Sequence, residues 1–280
     1  MTGRTSSRVS RDSASHVKAV DPVWEALRAE ARAIANAEPA LSSLVLSSIL
    51  NQNSFEEALA FRLAAKLDHD DVSGELIRQA FEEILKSDKD IATASRADLA
   101  ATLDRDPACH RAGEPFLFFK GFHAIQTHRF AHALWKAGRR DFALYLQSRS
   151  SQVFQVDINP AVRVGRGIML DHGTGVVMGE TAVLGDDVSI LQGVTLGGTG
   201  KQDGDRHPKV GNGVLIGAGA KILGNIKIGD CARVAAGSVV LKDVLSHTTV
   251  AGVPAKVVGE AGRDQPSQSM DQLLKSTDME

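Results

Sequence analysis

The sequence predicts an α+β protein, in which a helical region is followed by a coil of short parallel strands. Up to about Phe154, apolar side chains recur three and four residues apart, which is the spacing of amphipathic helices. After Val156 this spacing gives way to a period of six residues. A six-residue period fits neither a helix nor a single strand, and it is typical of a triangular solenoid whose flat sides are short strands.

Composition and charge exclude several classes of function. The formal net charge of -2 at pH 7 gives no electrostatic reason to expect nucleic acid or a membrane as a partner. The most apolar stretch, at 41–50, is short and interrupted by serines, so it does not predict a membrane span. Cys109 and Cys231 are the only cysteines. A disulfide framework is therefore not expected, and the predicted location is the cytoplasm.

Residues 21–154 are predicted to form an all-α domain. Asp21-Pro22 has the residue types of a helix N-cap followed by a first-turn proline. Gly138 lies where the end of a later helix is expected. Residues 1–20 are rich in Ser and Arg and lack the apolar segment of a secretory signal, so we predict a disordered tail there.

Residues 155–259 are predicted to form the coil. Aliphatic or small side chains lie six residues apart in two sets, separated by a glycine-rich, charged loop at 197–209. Because each coil stacks on the one before it, these positions should form continuous internal columns, and the loop should lie outside. The polar segment at 260–280 is predicted to be a flexible tail. The six-residue positions are Val164, Leu170, Val176, Ala182, Val188 and Val194, then Val210, Ile216, Ile222, Ile228, Val234 and Val240.

Ionisable residues concentrate in the same few coils and in the loop. Taken alone, His172 is explained as a solvated turn histidine, but the density of its ionisable neighbours favours a functional site. A histidine base with an orienting carboxylate suits the acylation of a hydroxyl, and an arginine suits the binding of a carboxylate. Such a set would hold an amino acid that carries a free hydroxyl. Its members are Asp157, Asp171, His172, Glu180, Arg206 and His207.

Several strings of residues resemble the serine O-acetyltransferases, acyltransferases with hexapeptide repeats that make O-acetylserine for cysteine synthesis. Hexapeptide repeats alone indicate only a superfamily. The strings LDHGTG at 170–175, LGGTG at 196–200 and DRHPK at 205–209 are together much more specific. The similarity extends from the N-terminal helices to about Gly259.

This resemblance implies the architecture, the ligands and the partners. The repeats would form a left-handed parallel β-helix, and the chain would form a homotrimer or a dimer of trimers, a homohexamer. The helical domain at 21–154 would serve in this oligomerisation by joining the two trimers. Acetyl-CoA would be the co-substrate, without a metal, and L-cysteine would inhibit. Many members dock a terminal isoleucine into O-acetylserine sulfhydrylase. This chain ends in Met279-Glu280, and the desolvation cost of a glutamate in an apolar pocket disfavours that complex.

The resemblance also assigns roles to individual residues. His172 would be the general base and Asp157 the carboxylate that orients it. The serine amino group would be held by carboxylates, its carboxylate by basic side chains, and the acetyl-CoA arm would pass small residues that allow close approach. The binding residues are Asp106 and Asp171 for the amino group, Arg206 and His207 for the carboxylate, and Gly197, Gly198, Thr199, Ala218 and Ala236 for acetyl-CoA.

Other functions stay open on the residues alone. A different hexapeptide acyltransferase would act on a sugar, an antibiotic or another amino acid, but simpler sugar acetyltransferases have less helix in front of the coil. A zinc lyase of the γ-carbonic anhydrase type needs imidazoles around one metal, and the coil offers His172, His207 and the distant His247. An inert scaffold would lack a member of the ionisable set. Serine O-acetylation is therefore the predicted function.

Overall fold

A computed structural model describes residues 21–200, 203–262 and 265–274 of the chain. Within these ranges helices precede Val156 and short, mostly parallel strands follow it. The tail predicted at 1–20 and the chain end at 275–280 lie outside the described residues. The predicted α+β class, a helical region followed by a parallel β-helix, is confirmed.

The helical region packs around a largely apolar core. Its helices are α1 (Pro22–Ala37), α2 (Ser42–Val45), α3 (Phe55–Leu67), α4 (Gly74–Ser87), α5 (Asp90–Arg105), α6 (Gly113–Leu117), α7 (Lys120–Lys136) and α8 (Arg140–Phe154), with a 3₁₀ turn at Pro39–Leu41 and a π-helical segment at Leu46–Leu50. The N-cap predicted at Asp21 forms, since its carboxylate accepts a hydrogen bond from the Trp24 backbone N–H. Among the helices in the described ranges, none is long and apolar enough to cross a membrane.

In the described part of the chain, three sheets form the flat sides of the triangular coil. Face A contains β1 (Val156–Ile158), β4 (Val176–Met178), β7 (Thr195–Gly197), β10 (Lys221–Leu223) and β13 (Val239–Val240). Face B contains β2 (Arg163–Val164), β5 (Val183–Leu184), β8 (Lys209–Val210) and β11 (Lys227–Ile228). Face C contains β3 (Met169–Leu170), β6 (Ser189–Ile190), β9 (Leu215–Ile216), β12 (Arg233–Val234), β14 (Thr248–Gly252) and the antiparallel β15 (Ala255–Glu260).

The coils differ in length, and the differences mark two insertions. Val177 pairs with Thr195, so a regular coil takes 18 residues. Val156 pairs with Val176, so the first coil takes 20 residues. Thr195 pairs with Lys221, so the coil with the predicted outer loop takes 26 residues. The second insertion is the predicted loop, and the first interrupts the six-residue count.

The first insertion puts the first set of six-residue positions out of register, so these positions do not form the continuous columns that the sequence predicts. Val164 pairs with Leu184 and Leu170 pairs with Ile190, so the predicted positions Ala182 and Val188 lie two residues before those partners, in a second column. Both columns face inward, because strand residues alternate and each side of the coil turns two side chains to the core. The six-residue spacing therefore passes from one buried column to the other, and every position on it is aliphatic or small, so the sequence pattern does not reveal the insertion.

Residues 265–274 pack on the coil, whereas the sequence predicts a flexible tail at 260–280. A short helix, α9 (Pro266–Ser269), buries its first two residues. Ser189 Oγ donates a hydrogen bond to the carbonyl oxygen of Ser267 at 2.8 Å. Arg233 Nη1 donates to the carbonyl oxygen of Asp271 at 3.1 Å. The polar composition of this segment predicted flexibility. Its backbone carbonyl groups are instead fixed by hydrogen bonds from polar side chains of the coil.

Candidate active site

Most of the predicted site residues lie at two corners of the coil. The base corner joins face C to face A at residues 171–175, 191–194, 217–220 and 235–238. The loop corner joins face A to face B at 179–182, 197–200, 203–208 and 224–226. The base corner holds Asp171, His172, Ala218 and Ala236, and the loop corner holds Gly197, Gly198, Thr199, Arg206 and His207.

The inserted residues of the first coil are His172 and Gly173. Backbone hydrogen bonds at this corner show it, because Gly193 N–H donates to Thr174 O just as Gly219 N–H donates to Gln192 O in the next coil. Thr174 and Gln192 therefore occupy equivalent positions, and the two residues before Thr174 have no counterpart in the next coil. Both inserted residues have left-handed backbone, with φ of 55° at His172 and 72° at Gly173. That region costs an ordinary residue about 1–2 kcal/mol, so the turn places a histidine where glycine would be the stable choice.

The insertion exposes the imidazole. The His172 side chain is 71% exposed, and its Nε2 lies 3.8 Å from Asp171 Oδ2. A cavity of about 320 Å³ opens beside it, between the start of α7 and the base corner, and Asp106, Asp171 and His172 line it. The imidazole can therefore be reached from outside the coil by a second molecule.

Two carboxylates, Asp106 and Asp171, share this cavity. Burial raises the pKa of Asp171, and the negative charge of Asp106 raises it further, while His172 opposes the shift. Two neighbouring carboxylates favour a cation between them, because the cation relieves their repulsion. The charge at this end of the cavity suits an ammonium group, and holding the serine amino group is the role that the resemblance implies for these two residues.

Asp157 is not brought to His172. It points outward from β1 between two buried residues, and its Oδ1 accepts a hydrogen bond from Gln147 Nε2 of α8 at 2.6 Å. No hydrogen bond or ion pair joins Asp157 to His172 within the described ranges. The structure thus places the imidazole of His172 beside Asp171, and the orienting role of Asp157 stays a prediction.

His207 is buried at the loop corner in a defined tautomer. The Thr181 backbone N–H donates to His207 Nδ1 at 3.2 Å, so in the neutral ring Nε2 carries the proton. The ring lies over Gly179, where a Cβ would overlap Nε2. Burial, and then the charges of Arg206 and Lys209, lower the pKa of His207. The ring is therefore neutral at pH 7 and presents one N–H donor.

Arg206 lies beside His207 with part of its guanidinium engaged. Its Nη2 donates to Glu180 Oε2 at 2.8 Å, and its Nη1 donates to the Gly204 carbonyl oxygen at 3.0 Å. A guanidinium has five N–H donors, so others are left for a carboxylate ligand. Glu180 orients this arginine, a role that its position in the sequence did not indicate.

The two corners do not form one site within a single chain. They lie at opposite ends of β4, with His172 before the strand and Glu180 after it. At ~3.3 Å per residue, the strand and its flanking residues separate the corners by on the order of 15 Å. His172 and Arg206 of one chain therefore cannot hold the same small molecule.

A three-histidine zinc centre does not fit this placement. His172 lies at the base corner, His207 at the loop corner, and His247 at the third corner, between faces B and C. Searching the described residues gives no group of three or more His, Cys, Asp or Glu side chains that could hold a metal ion. Within one chain, the geometry favours acid–base chemistry at His172 over the lyase alternative.

Family models match both regions of the chain. Residues 23–127 match the model "Serine acetyltransferase, N-terminal", and residues 207–242 match "Bacterial transferase hexapeptide (six repeats)". The serine acetyltransferase of Salmonella typhimurium is 53% identical to this chain over 250 residues, which make up 89% of this chain and 92% of that protein.

Solved structures of serine acetyltransferases are similar over most of the chain. One from Brucella abortus strain S19, in complex with coenzyme A, has a TM-score of 0.86 at 58% identity and covers 87% of this chain and 97% of that one. A complex with cysteine has a TM-score of 0.89 at 48% identity, covering 90% and 98%. A complex with serine, from Neisseria gonorrhoeae, has a TM-score of 0.82 at 50% identity, covering 86% and 99%.

Proposed function

The chain belongs to the serine acetyltransferase family, and from this premise we propose that it transfers the acetyl group of acetyl-CoA to the hydroxyl of L-serine. The products are O-acetyl-L-serine and CoA, the first step of cysteine synthesis. One observation carries the proposal: the exposed imidazole of His172 and the paired carboxylates Asp106 and Asp171 line the same cavity. The carboxylates bind the ammonium group of an amino acid, and the base stands beside them.

His172 acts as the general base and then as the general acid. A hydroxyl is a weak nucleophile near pH 7, so the imidazole takes its proton as the oxygen attacks the thioester carbonyl. The carbon–sulfur bond then breaks, and the imidazolium returns the proton to the departing thiolate. Asp171, at 3.8 Å from Nε2, stabilises the imidazolium between the two transfers. Asp157 serves as the orienting carboxylate when bound substrate turns the side chain of Asp157 toward His172, or that of His172 toward Asp157.

The active unit is a homotrimer in which the base corner of one chain faces the loop corner of the next. This arrangement is supported by the separation of the two corners within a chain. His207 Nε2–H and the free N–H groups of Arg206 then bind the serine carboxylate from the neighbouring chain. The helical domain at 21–154 joins two trimers into a hexamer.

Acetyl-CoA lies between the chains, along the base corner of one and the loop corner of the other. Thr174, Gln192 and Ala218 occupy equivalent positions in stacked coils, because they accept the N–H bonds of Gly193, Gly219 and Gly237, and Ala236 follows in the next coil. The pantetheine arm runs along this column toward His172, and the two alanines leave room for it. On the neighbouring chain the arm passes the small residues Gly197, Gly198 and Thr199.

L-Cysteine inhibits by occupying the serine site. Its ammonium and carboxylate groups match those of serine, and its thiol takes the place of the hydroxyl near His172. A serine acetyltransferase structure with cysteine is among those similar to this chain. We place the enzyme in the cytoplasm, in keeping with a chain whose described cysteines form no disulfide. The complex with O-acetylserine sulfhydrylase is not part of the proposal.

The proposal is tested by the release of free thiol from acetyl-CoA, with L-serine and a panel of other hydroxyl acceptors. Wild type should turn over L-serine fastest, and His172→Ala should lower kcat by about 10²–10⁴-fold, the usual contribution of a general base. Because His172 is exposed, its replacement should leave the thermal unfolding midpoint unchanged.

Two results would overturn the proposal in different ways. A near-normal kcat of His172→Ala would remove His172 as the base. Turnover of another acceptor without turnover of L-serine would keep the acetyl transfer and reject the substrate.

A further inference from the structure

The turn that carries His172 has more left-handed residues than the equivalent turns of the next coils, and one of them is not a glycine. In the next coils the base corner has one residue with positive φ each, for example Gly193 at 71° and Gly219 at 71°. The first coil has three, with φ of 55° at His172, 72° at Gly173 and 74° at Gly175. A turn of this kind keeps one conformation only where surrounding contacts hold it.

The start of α7 supplies such contacts on both sides of His172. Before it, Gly121 packs so closely on Leu170 that a Cβ on Gly121 would overlap the Leu170 carbonyl oxygen. After it, Lys120 Nζ donates a hydrogen bond to Thr174 Oγ1. The helical domain therefore contacts the inserted turn directly, on both sides of His172.

Lys120 also lines the cavity that contains Asp106, Asp171 and His172. A lysine ammonium there has two possible uses: it can fix the turn through Thr174, or it can bind a group of the substrate. The structure already gives it a partner in Thr174. Thr174 is the residue that follows the insertion, so holding its side chain limits the movement of His172.

From these contacts we propose that Lys120 is a positioning residue for His172, acting through the hydroxyl of Thr174; this rests on the proposed role of His172 as the base. When the contact is lost, the inserted turn samples other conformations, and the imidazole spends less time where it can take the proton. Misplacement of a reacting group lowers turnover rather than binding. The ammonium site at Asp106 and Asp171 is left in place.

A double-mutant cycle tests this coupling, with Lys120→Met, Thr174→Val and the double variant. Each single substitution should lower kcat by about tenfold, and the double variant should fall no further, because both remove the same contact. The KM values for L-serine and acetyl-CoA should stay within about threefold of wild type.

Conservative variants separate positioning from a loss of folding. Lys120→Arg and Thr174→Ser retain a donor and an acceptor, so both should recover most of the lost kcat. Lys136→Met, at the exposed end of the same helix, is the matched control and should behave as wild type. Thermal unfolding of each variant shows whether the fold is intact.

Several outcomes would overturn the proposal. Independent, multiplying effects of the two substitutions would show that Lys120 and Thr174 do not act together. A raised serine KM in Lys120→Met, with Thr174→Val unaffected, would make Lys120 a substrate-binding residue. His172→Ala is assayed alongside. If it stays active, the proposed role of His172 as the base fails, whereas an inactive His172→Ala beside normal Lys120→Met and Thr174→Val rejects only the positioning role of Lys120.

Discussion

The base corner and the loop corner display a functional side chain on a regular coil in opposite ways. The base corner inserts two residues with left-handed backbone, and the side chain of His172 is 71% exposed. The loop corner inserts a longer segment that folds back, and His207 is 7% exposed. The difference follows from the task. A base must reach a proton on another molecule, whereas a binding group must present one donor in one direction.

This comparison predicts that changes at the two corners affect different kinetic constants. Loss of His172 removes a group that acts in the transition state, so kcat falls. Changes at the loop corner weaken the hold on the serine carboxylate, which contributes to binding before and during reaction, so KM for L-serine rises.

The largest expected effect at the loop corner is that of Gly179→Ala. The new Cβ would overlap His207 Nε2, so the ring must move and its N–H no longer points at the carboxylate. Loss of one hydrogen bond to a charged group costs about 1.5–3 kcal/mol, which corresponds to a rise of about 10–100-fold in KM for L-serine. Steady-state kinetics with L-serine varied at saturating acetyl-CoA measures this change.

Gly198→Ala is the matched control for that prediction. Its Cβ would lie 3.5 Å from the Arg206 carbonyl oxygen, an ordinary contact, and 3.6 Å from His207 Nε2. It should leave KM for L-serine unchanged and act on KM for acetyl-CoA instead. If Gly179→Ala lowered kcat with an unchanged serine KM, the division of roles between the corners would be wrong.

At the base corner we expect a smaller effect, on the pH dependence of kcat/KM for L-serine. Burial and the neighbouring Asp106 raise the pKa of Asp171, so Asp171 loses its charge at a higher pH than an ordinary aspartate as the pH falls. Serine binding needs that charge, and kcat/KM for L-serine should fall on the acid side as Asp171 is protonated. Asp106→Asn removes one of the two causes that raise the pKa of Asp171. The fall of kcat/KM on the acid side, the acid limb of the profile, should therefore move to lower pH.

The pH profile of kcat/KM for L-serine measures the shift, with Asp104→Asn, a neighbouring carboxylate outside the cavity lining, as the control. Asp106→Asn should also weaken serine binding at every pH, because one ammonium partner is lost. An acid limb that moved upward would show that Asp106 does not raise the pKa of Asp171 in the enzyme.

The fold could be predicted from the sequence because its two periods are long and regular. The change of period near Val156 placed the boundary between helices and coil, and the interruption at 197–209 placed the loop. The first insertion was missed, because both columns that face the core are aliphatic and a slip between them leaves the pattern intact. The string His172-Gly173-Thr174-Gly175, with two glycines beside a histidine, was the signal that could have revealed it.

The proximity of some candidate site residues could be predicted from the sequence, but their contacts with distant elements could not. Asp171 and His172 are adjacent in sequence, so their proximity follows directly, and Asp106 joins them in the cavity. The contact of Gln147 with Asp157, of Glu180 with Arg206, and of Lys120 with Thr174 depends on how distant elements pack. The spacing of residues along the sequence does not indicate contacts between distant elements.

The central claim is that each site combines the base corner of one chain with the loop corner of another. The most direct measurement co-expresses His172→Ala chains with Arg206→Met chains under different affinity tags and assays the mixed trimers at L-serine concentrations far below the raised KM of Arg206→Met, where sites without Arg206 contribute little. With random mixing in a cyclic trimer, about a quarter of the sites should pair an intact His172 with an intact Arg206 and restore that share of wild-type activity. Mixed trimers no more active than either parent alone would contradict the claim and place both groups in one chain's site.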